Sequence, residues 1–229
     1  PMQWKHHRIW IVALIIISGL VLAWFMLRPQ PAVETPAPID TATTSPNLSG
    51  RSLYTNGEYG FVISYPDTAR LEEKFAAQYH LGTYWRASAL PDATGTPILA
   101  IVSYSTESDH SYPRYYTTQV RLGASTDPKE VAGCLKVTPN QGETALPDAT
   151  FNGTTWKAFS FQSAGMMQYA KGVSYRTIHE GKCIALEKIA TGSSYRDDPD
   201  SPDDVSDDVL NARYENLSAI VETFTFARP

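Results

Sequence analysis

The chain has 229 residues, a formal net charge of −5 and only 19% charged residues. Lys5, Arg8, Arg28, Glu34 and Asp40 all precede residue 51, so residues 51–229 carry 16 Lys+Arg against 22 Asp+Glu, a net −6. An acidic domain with no Lys/Arg stripe argues against nucleic acid and against an anionic bilayer surface, both of which reward basic patches. Thirteen Tyr and eight Phe, side chains that favour strands, point instead to a β-rich fold.

Residues 9–27 read IWIVALIIISGLVLAWFML, with no formal charge. As a helix this run spans about 28 Å, close to the hydrocarbon thickness of a bilayer. Trp10 and Trp24 lie near its ends, where indole rings favour the interface. Lys5 and Arg8 precede it and Arg28 follows, which points to a cytoplasmic N-terminus (residues 1–8) and a domain outside a plasma membrane. Val21-Leu22-Ala23 offers a signal-peptide cleavage pattern, but the apolar run continues past it, so a single-pass anchor is the expectation. Residues 28–50, rich in Pro, Thr and Ala, form an extended linker able to hold the domain ~65 Å from the bilayer at about 3.1 Å per residue.

In the domain, residues 60–66 (GFVISYP) predict a first strand, 79–88 a second, 98–104 (ILAIVSY) a strand buried on both faces, and 115–122 a fourth. Asp127-Pro128-Lys129-Glu130 is a helix start, with Asp as N-cap, Pro at N1 and Glu reaching back, and predicts a short helix over 128–135. Asn152-Gly153 and Glu180-Gly181 predict type I′ turns, the first joining 149–151 to 155–161 and the second joining 173–179 to 182–190. Leu210, Tyr214, Leu217 and Val221 recur at helical spacing, predicting a helix over 209–221 before a closing strand at 222–226. The order implies α+β, an antiparallel sheet with packed helices.

Tyr59-Gly60-Phe61-Val62-Ile63-Ser64-Tyr65-Pro66 resembles the opening of PsbP-like domains, and residues 217–226 resemble their close. The resemblance implies an α/β/α sandwich around an antiparallel sheet and a binding or assembly role. It supplies no site residues, because no family motif with a known site is matched.

The two cysteines, Cys134 and Cys183, are expected to pair in an oxidising compartment. The alternative is an extracytoplasmic cysteine transpeptidase or hydrolase resembling a sortase. There Cys183 would be nucleophile, His110 or His179 the proton-transfer partner and Arg196 the oxyanion stabiliser. That family's T-L-x-T-C strand is replaced by H-E-G-K-C here. Asp197, Asp198, Asp200, Asp203 and Asp204 form an acidic loop with the oxygen ligands Ca²⁺ takes, though its spacing matches no EF-hand and a solvated loop before a helix reads equally. Tyr112, Arg114, Tyr115 and Tyr116, with Trp85 nearby, carry the side chains that interfaces prefer and are candidates for partner binding. Asn47, Asn152 and Asn216 each begin an N-x-[ST] sequon, and Asn152 is explained by its turn. No G-x-S-x-G or H-E-x-x-H pattern occurs, so a non-enzymatic binding or assembly module of a cell envelope, whose partner is another envelope protein, is the leading expectation.

Overall fold

Strands form where apolar residues run continuously or alternate with polar ones, because one or both faces of each must be buried. The computed structural model of the chain describes residues 50–78, 80–106, 115–138, 140–193 and 205–227. The apolar run 9–27, the linker up to residue 49 and the acidic loop lie outside them. Among the described residues no helix is long and apolar enough to cross a membrane.

Ten strands and three short helices are described: β1 (Arg51–Asn56), β2 (Phe61–Pro66), β3 (Arg70–Glu72), β4 (Thr96–Ser105), β5 (Tyr116–Ser125), α1 (Pro128–Gly133), β6 (Glu143–Phe151), β7 (Thr154–Gly165), β8 (Gln168–His179), β9 (Lys182–Ser193), α2 (Asp207–Glu215), α3 (Ser218–Val221) and β10 (Thr225–Phe226). A seven-stranded antiparallel sheet has the order β3-β4-β5-β9-β8-β7-β6, and a small sheet the order β1-β2-β10. The fold is mostly antiparallel sheet with few helices. Two layers cover the large sheet, one on each face.

On one face, Leu99, Ile101, Val120, Leu122, Ile184 and Leu186 pack against Phe61 and Ile63 of the small sheet and against Leu217, Ile220 and Val221. The periodic pattern over 209–221 predicts one helix, but the chain forms two. Asn216 and Leu217 turn between them, and the turn drives Leu217 to complete burial. The closing strand is shorter than predicted, Thr225–Phe226. Residues 222–224 are instead held by neighbours. The Thr223 hydroxyl donates to Ser64 O at 2.9 Å, and Asn152 Nδ2 donates to Glu222 O at 2.6 Å and Phe224 O at 2.9 Å.

On the other face the segment 73–95 and α1 form the cover. Residues 79–88 predict a strand, yet the described residues of this segment make only the isolated bridge Gln78↔Leu81. Its apolar side chains serve as plugs rather than as one side of a ladder: Leu81 and Trp85 are each 2% exposed. Glycine makes room for that plug. A Cβ on Gly123 would lie 1.7 Å from the Trp85 carbonyl oxygen, and one on Gly95 would lie 2.3 Å from its ring. Asp127 caps α1 as its sequence predicts, accepting from Lys129 N at 2.8 Å and Glu130 N at 3.3 Å. Glu130 does not reach back to the cap; its carboxylate turns inward to Arg86 at 3.5 Å.

Three hairpins have two-residue turns with positive φ at both central residues, the type I′ signature. Asn152-Gly153 (49°, 76°) and Glu180-Gly181 (48°, 73°) follow from their sequence. The third, Met166-Met167 (48°, 64°), has no glycine and no sequence signal.

Candidate functional site

The helix-side face of the large sheet carries a cross-strand row in which Tyr116 of β5 and Tyr169 of β8 flank Gly192 of β9, since Gly192 pairs with both. A Cβ on Gly192 would lie 2.8 Å from Tyr169 Oη and 3.0 Å from the Tyr116 ring, so the missing side chain lets the two rings close over it. Beside this row opens a groove of about 630 Å³, bounded by the ends of β7 and β8 and by the first turns of α2. Tyr116 (2% exposed) and Leu210 (5% exposed) form its floor, and the Tyr116 hydroxyl donates to Leu210 O at 2.7 Å, fixing the helix to the sheet. Tyr169, Lys171, Asp207 and Asn211 stand around it with more exposure.

Charge is arranged along the same edge of α2. Lys171 Nζ lies 5.9 Å from the Tyr169 ring centroid and 5.8 Å from that of Tyr214, within cation–π range. Lys188 Nζ sits 4.6 Å over Tyr214 and pairs with Glu215 at 3.0 Å. Burial, reinforced by the Glu215 carboxylate, pushes the Tyr214 hydroxyl well above the usual tyrosine range, so it stays protonated. An aromatic, partly apolar trough edged by an ammonium, a carboxylate and an amide is suited to holding an amphiphilic ligand or a peptide segment.

The opposite face holds a different assembly, closed to solvent. Arg121 of β5, Glu187 of β9 and Ser174 of β8 lie in one cross-strand row. Around it stand Arg86, Glu130, Glu143 and Arg176. Arg176 pairs with Glu143, and Arg86 reaches Glu143 at 3.7 Å and donates to Thr138 Oγ1 at 2.9 Å. Arg121 donates to Ala76 O at 2.8 Å and Gly82 O at 2.9 Å and lies 4.6 Å over the Phe75 ring, pinning the cover segment. Burial lowers its pKa to about 10, against the raising effect of Glu187 and Glu72. Glu187 Oε2 accepts from Ala87 N at 2.8 Å, while Oε1 has no partner in hydrogen-bond geometry. Burial raises the Glu187 pKa, countered by the Ser174 hydroxyl, Arg176, the Ala87 amide and Arg86. With Arg121, Arg176 and Glu187 each at most 1% exposed, no substrate reaches these groups, and they act as the lock between sheet and cover.

Cys134 and Cys183 form a disulfide, with Cα atoms 5.7 Å apart, tying the end of α1 to the start of β9 beside Trp85. Cys183 is therefore a structural half-cystine, completely buried, and offers no thiolate; the cysteine transpeptidase reading finds no support. His179, assigned to proton transfer in that reading, is stacked on Phe226 at 3.7 Å. His110 and Arg196 lie outside the described residues, as do Tyr112, Arg114 and the candidate calcium ligands Asp197, Asp198, Asp200, Asp203 and Asp204.

The remaining partner-binding candidates do not come together. Tyr116 lines the groove; Tyr115, its neighbour in sequence, points to the other face, its hydroxyl 3.4 Å from Thr191 Oγ1. Trp85 is also on that other face, buried with the disulfide. Tyr169, Lys171, Gly192 and Asn211 were not singled out by sequence, and Leu210 only as part of a helix face, because strand register and the packing of α2 on the sheet are what bring them together.

No protein-family model and no curated protein matches the chain. Among solved structures it is similar to cyanobacterial PsbP (CyanoP) from Synechocystis sp., at 7% identity and a TM-score of 0.39, over 86% of this chain and 99% of that one. It is also similar to LpqN, involved in cell envelope biogenesis of Mycobacterium tuberculosis, at 16% identity and a TM-score of 0.39, over 78% of this chain and 91% of that one. The first match is to the family that the ends of the domain resemble in sequence. With both TM-scores at 0.39, neither likeness assigns a role to this chain.

Proposed function

We propose that the chain is a non-enzymatic binding module of a cell envelope, held outside the cytoplasm by residues 9–27, and that the groove beside Tyr116, Gly192 and Tyr169 receives its partner. The groove carries this reading, because it joins aromatic walls to a mixed-charge rim, the composition that contact surfaces favour. The buried Cys134–Cys183 bridge supports an oxidising compartment. The apolar run supports a tether.

The test is site-specific photocrosslinking of the full chain in native membranes, from a photoreactive residue at Asn211 on the groove and at Lys136 on the far face. A discrete protein adduct from Asn211 that Lys136 does not give, and that Lys171→Glu weakens, is the expected result. Equal or absent adducts from the two positions would remove the reading.

A further inference from the structure

Two ammonium groups share one tyrosine ring beside α2, and they are treated differently. Lys188 Nζ, 4.6 Å over the Tyr214 ring, pairs with Glu215 at 3.0 Å and donates to Ser218 Oγ at 3.2 Å. Lys171 Nζ lies 5.8 Å from the same ring and 5.9 Å from that of Tyr169, and among the described residues it makes no ion pair and no hydrogen bond. Ring faces hold an ammonium in place without cancelling its charge. Lys171 is therefore a positioned cation whose donors face outward. It stands between Ala190 of β9 and Gln162 of β7, in the cross-strand row next to that of Tyr169, Gly192 and Tyr116, and so it lines the groove. Asp207 lines the same groove, but it forms no ion pair with Lys171 and is engaged elsewhere in the chain.

Resting on the binding-module reading, we infer that Lys171 selects what enters the groove: a segment of a partner protein that presents one Asp or Glu carboxylate to Lys171 Nζ and lays a neighbouring apolar side chain against Tyr169. An ammonium already held between two rings loses little freedom on pairing, and a carboxylate supplies the acceptor that it lacks. Asp207 and Asp208 open α2 beside the groove, so a run of acidic residues would be repelled there, and the matching carboxylate is a single one. A protein segment fits this trough better than a lipid. Gln162, Ser163, Ala164 and Asn211 line it and are exposed, so an acyl chain would stay in water, whereas their amides and hydroxyl suit a polypeptide backbone.

The test uses the full chain in native membranes and two crosslinks. A water-soluble carbodiimide joins an amine to a carboxylate only where the two touch, with loss of water. It is expected to form an amide between Lys171 Nζ and an Asp or Glu of another protein, read by peptide mass. In parallel the photoreactive residue at Asn211 is carried by the natural chain, by K171R and by K171Q. K171R keeps the charge and the stacking, so it is expected to keep the photoadduct while losing the carbodiimide linkage. K171Q is expected to lose the photoadduct about tenfold, the effect of one charge-assisted hydrogen bond. A photoadduct that K171Q leaves unchanged, or that K171R loses as fully as K171Q, overturns the inference and leaves the groove reading standing. A carbodiimide linkage of Lys171 only to Asp207 of its own chain, or to a lipid carboxylate, overturns it too. No photoadduct from the natural chain would take both readings down.

Discussion

The guanidinium of Arg176 and the carboxylate of Glu143, both side chains wholly shielded from water, form an ion pair that joins β8 to β6 across the intervening β7. Arg176 also donates to Ser174 Oγ at 3.1 Å and Lys136 O at 3.2 Å, and Glu143 accepts from Thr138 N at 2.7 Å. The pair thereby ties the sheet to the chain leaving α1. Removing one partner leaves the other charged and buried, which costs about 3–5 kcal/mol. Arg176→Met alone is expected to fall in that range by denaturant unfolding. Glu143→Gln with Arg176→Met should recover part of the loss, since Arg86, which also reaches Glu143, keeps Glu130 as its partner.

Glu187 gives stability a pH dependence of predictable sign. Its pKa is raised in the folded state, chiefly by burial, so the folded protein binds the Glu187 proton more tightly than the unfolded chain does. This contribution to stability is therefore undiminished below the ordinary carboxylate range and is lost as pH rises from that range through the raised folded value. Glu187→Gln is expected to flatten that decline. Unfolding free energies at pH 4 to 8 check it, and parallel curves for the two proteins would contradict the assignment.

Gly123 is required by the Trp85 backbone. A Cβ 1.7 Å from the Trp85 carbonyl oxygen must push the cover segment off β5, a backbone displacement with no flexible side chain to absorb it. Gly123→Ala is expected to destabilise by about 2 kcal/mol or more, in line with overpacking of a filled core, and to raise exposure of Trp85, read by its fluorescence. Gly153→Ala, where a Cβ meets nothing within 4 Å, should cost only the strain of its positive φ.

Asn152 holds its turn and anchors the C-terminus through the same side chain. Because Nδ2 donates to two carbonyls, the nitrogen that a glycan would occupy is engaged. Asn152→Gly keeps the left-handed backbone but loses both bonds, and is expected to destabilise by about 1–3 kcal/mol. Expressed in a glycosylating host, the chain should carry no glycan at Asn152 by peptide mass.

Legibility from sequence tracked how local each signal was. The Asp127 cap and the two X-Gly turns were readable because a few adjacent residues decide them. Residues 98–104 were readable as a strand because a continuous apolar run is buried on both faces. Residues 79–88 misled because a plug over a sheet has the composition of a strand, and only contact with Gly123 and the disulfide distinguishes them. The Met166-Met167 turn carried no signal, since its backbone is imposed by the pairing of β7 with β8 rather than by residues that prefer it. The Cys134–Cys183 pair was legible from count alone. The tyrosine trough was not, because Tyr116, Tyr169 and Gly192 meet only through strand register.

The state of the two cysteines in the native protein bears most directly on the proposed function. Intact cells bearing the full chain are trapped with a membrane-impermeant maleimide, the chain is denatured without reductant, and a second maleimide counts the remaining thiols by mass. Neither label is expected on Cys134 or Cys183 until a reductant is added, as a wholly formed bridge in an oxidising compartment requires. A Cys183 that takes the first label in the folded chain would contradict it, exposing a thiol where a structural disulfide belongs.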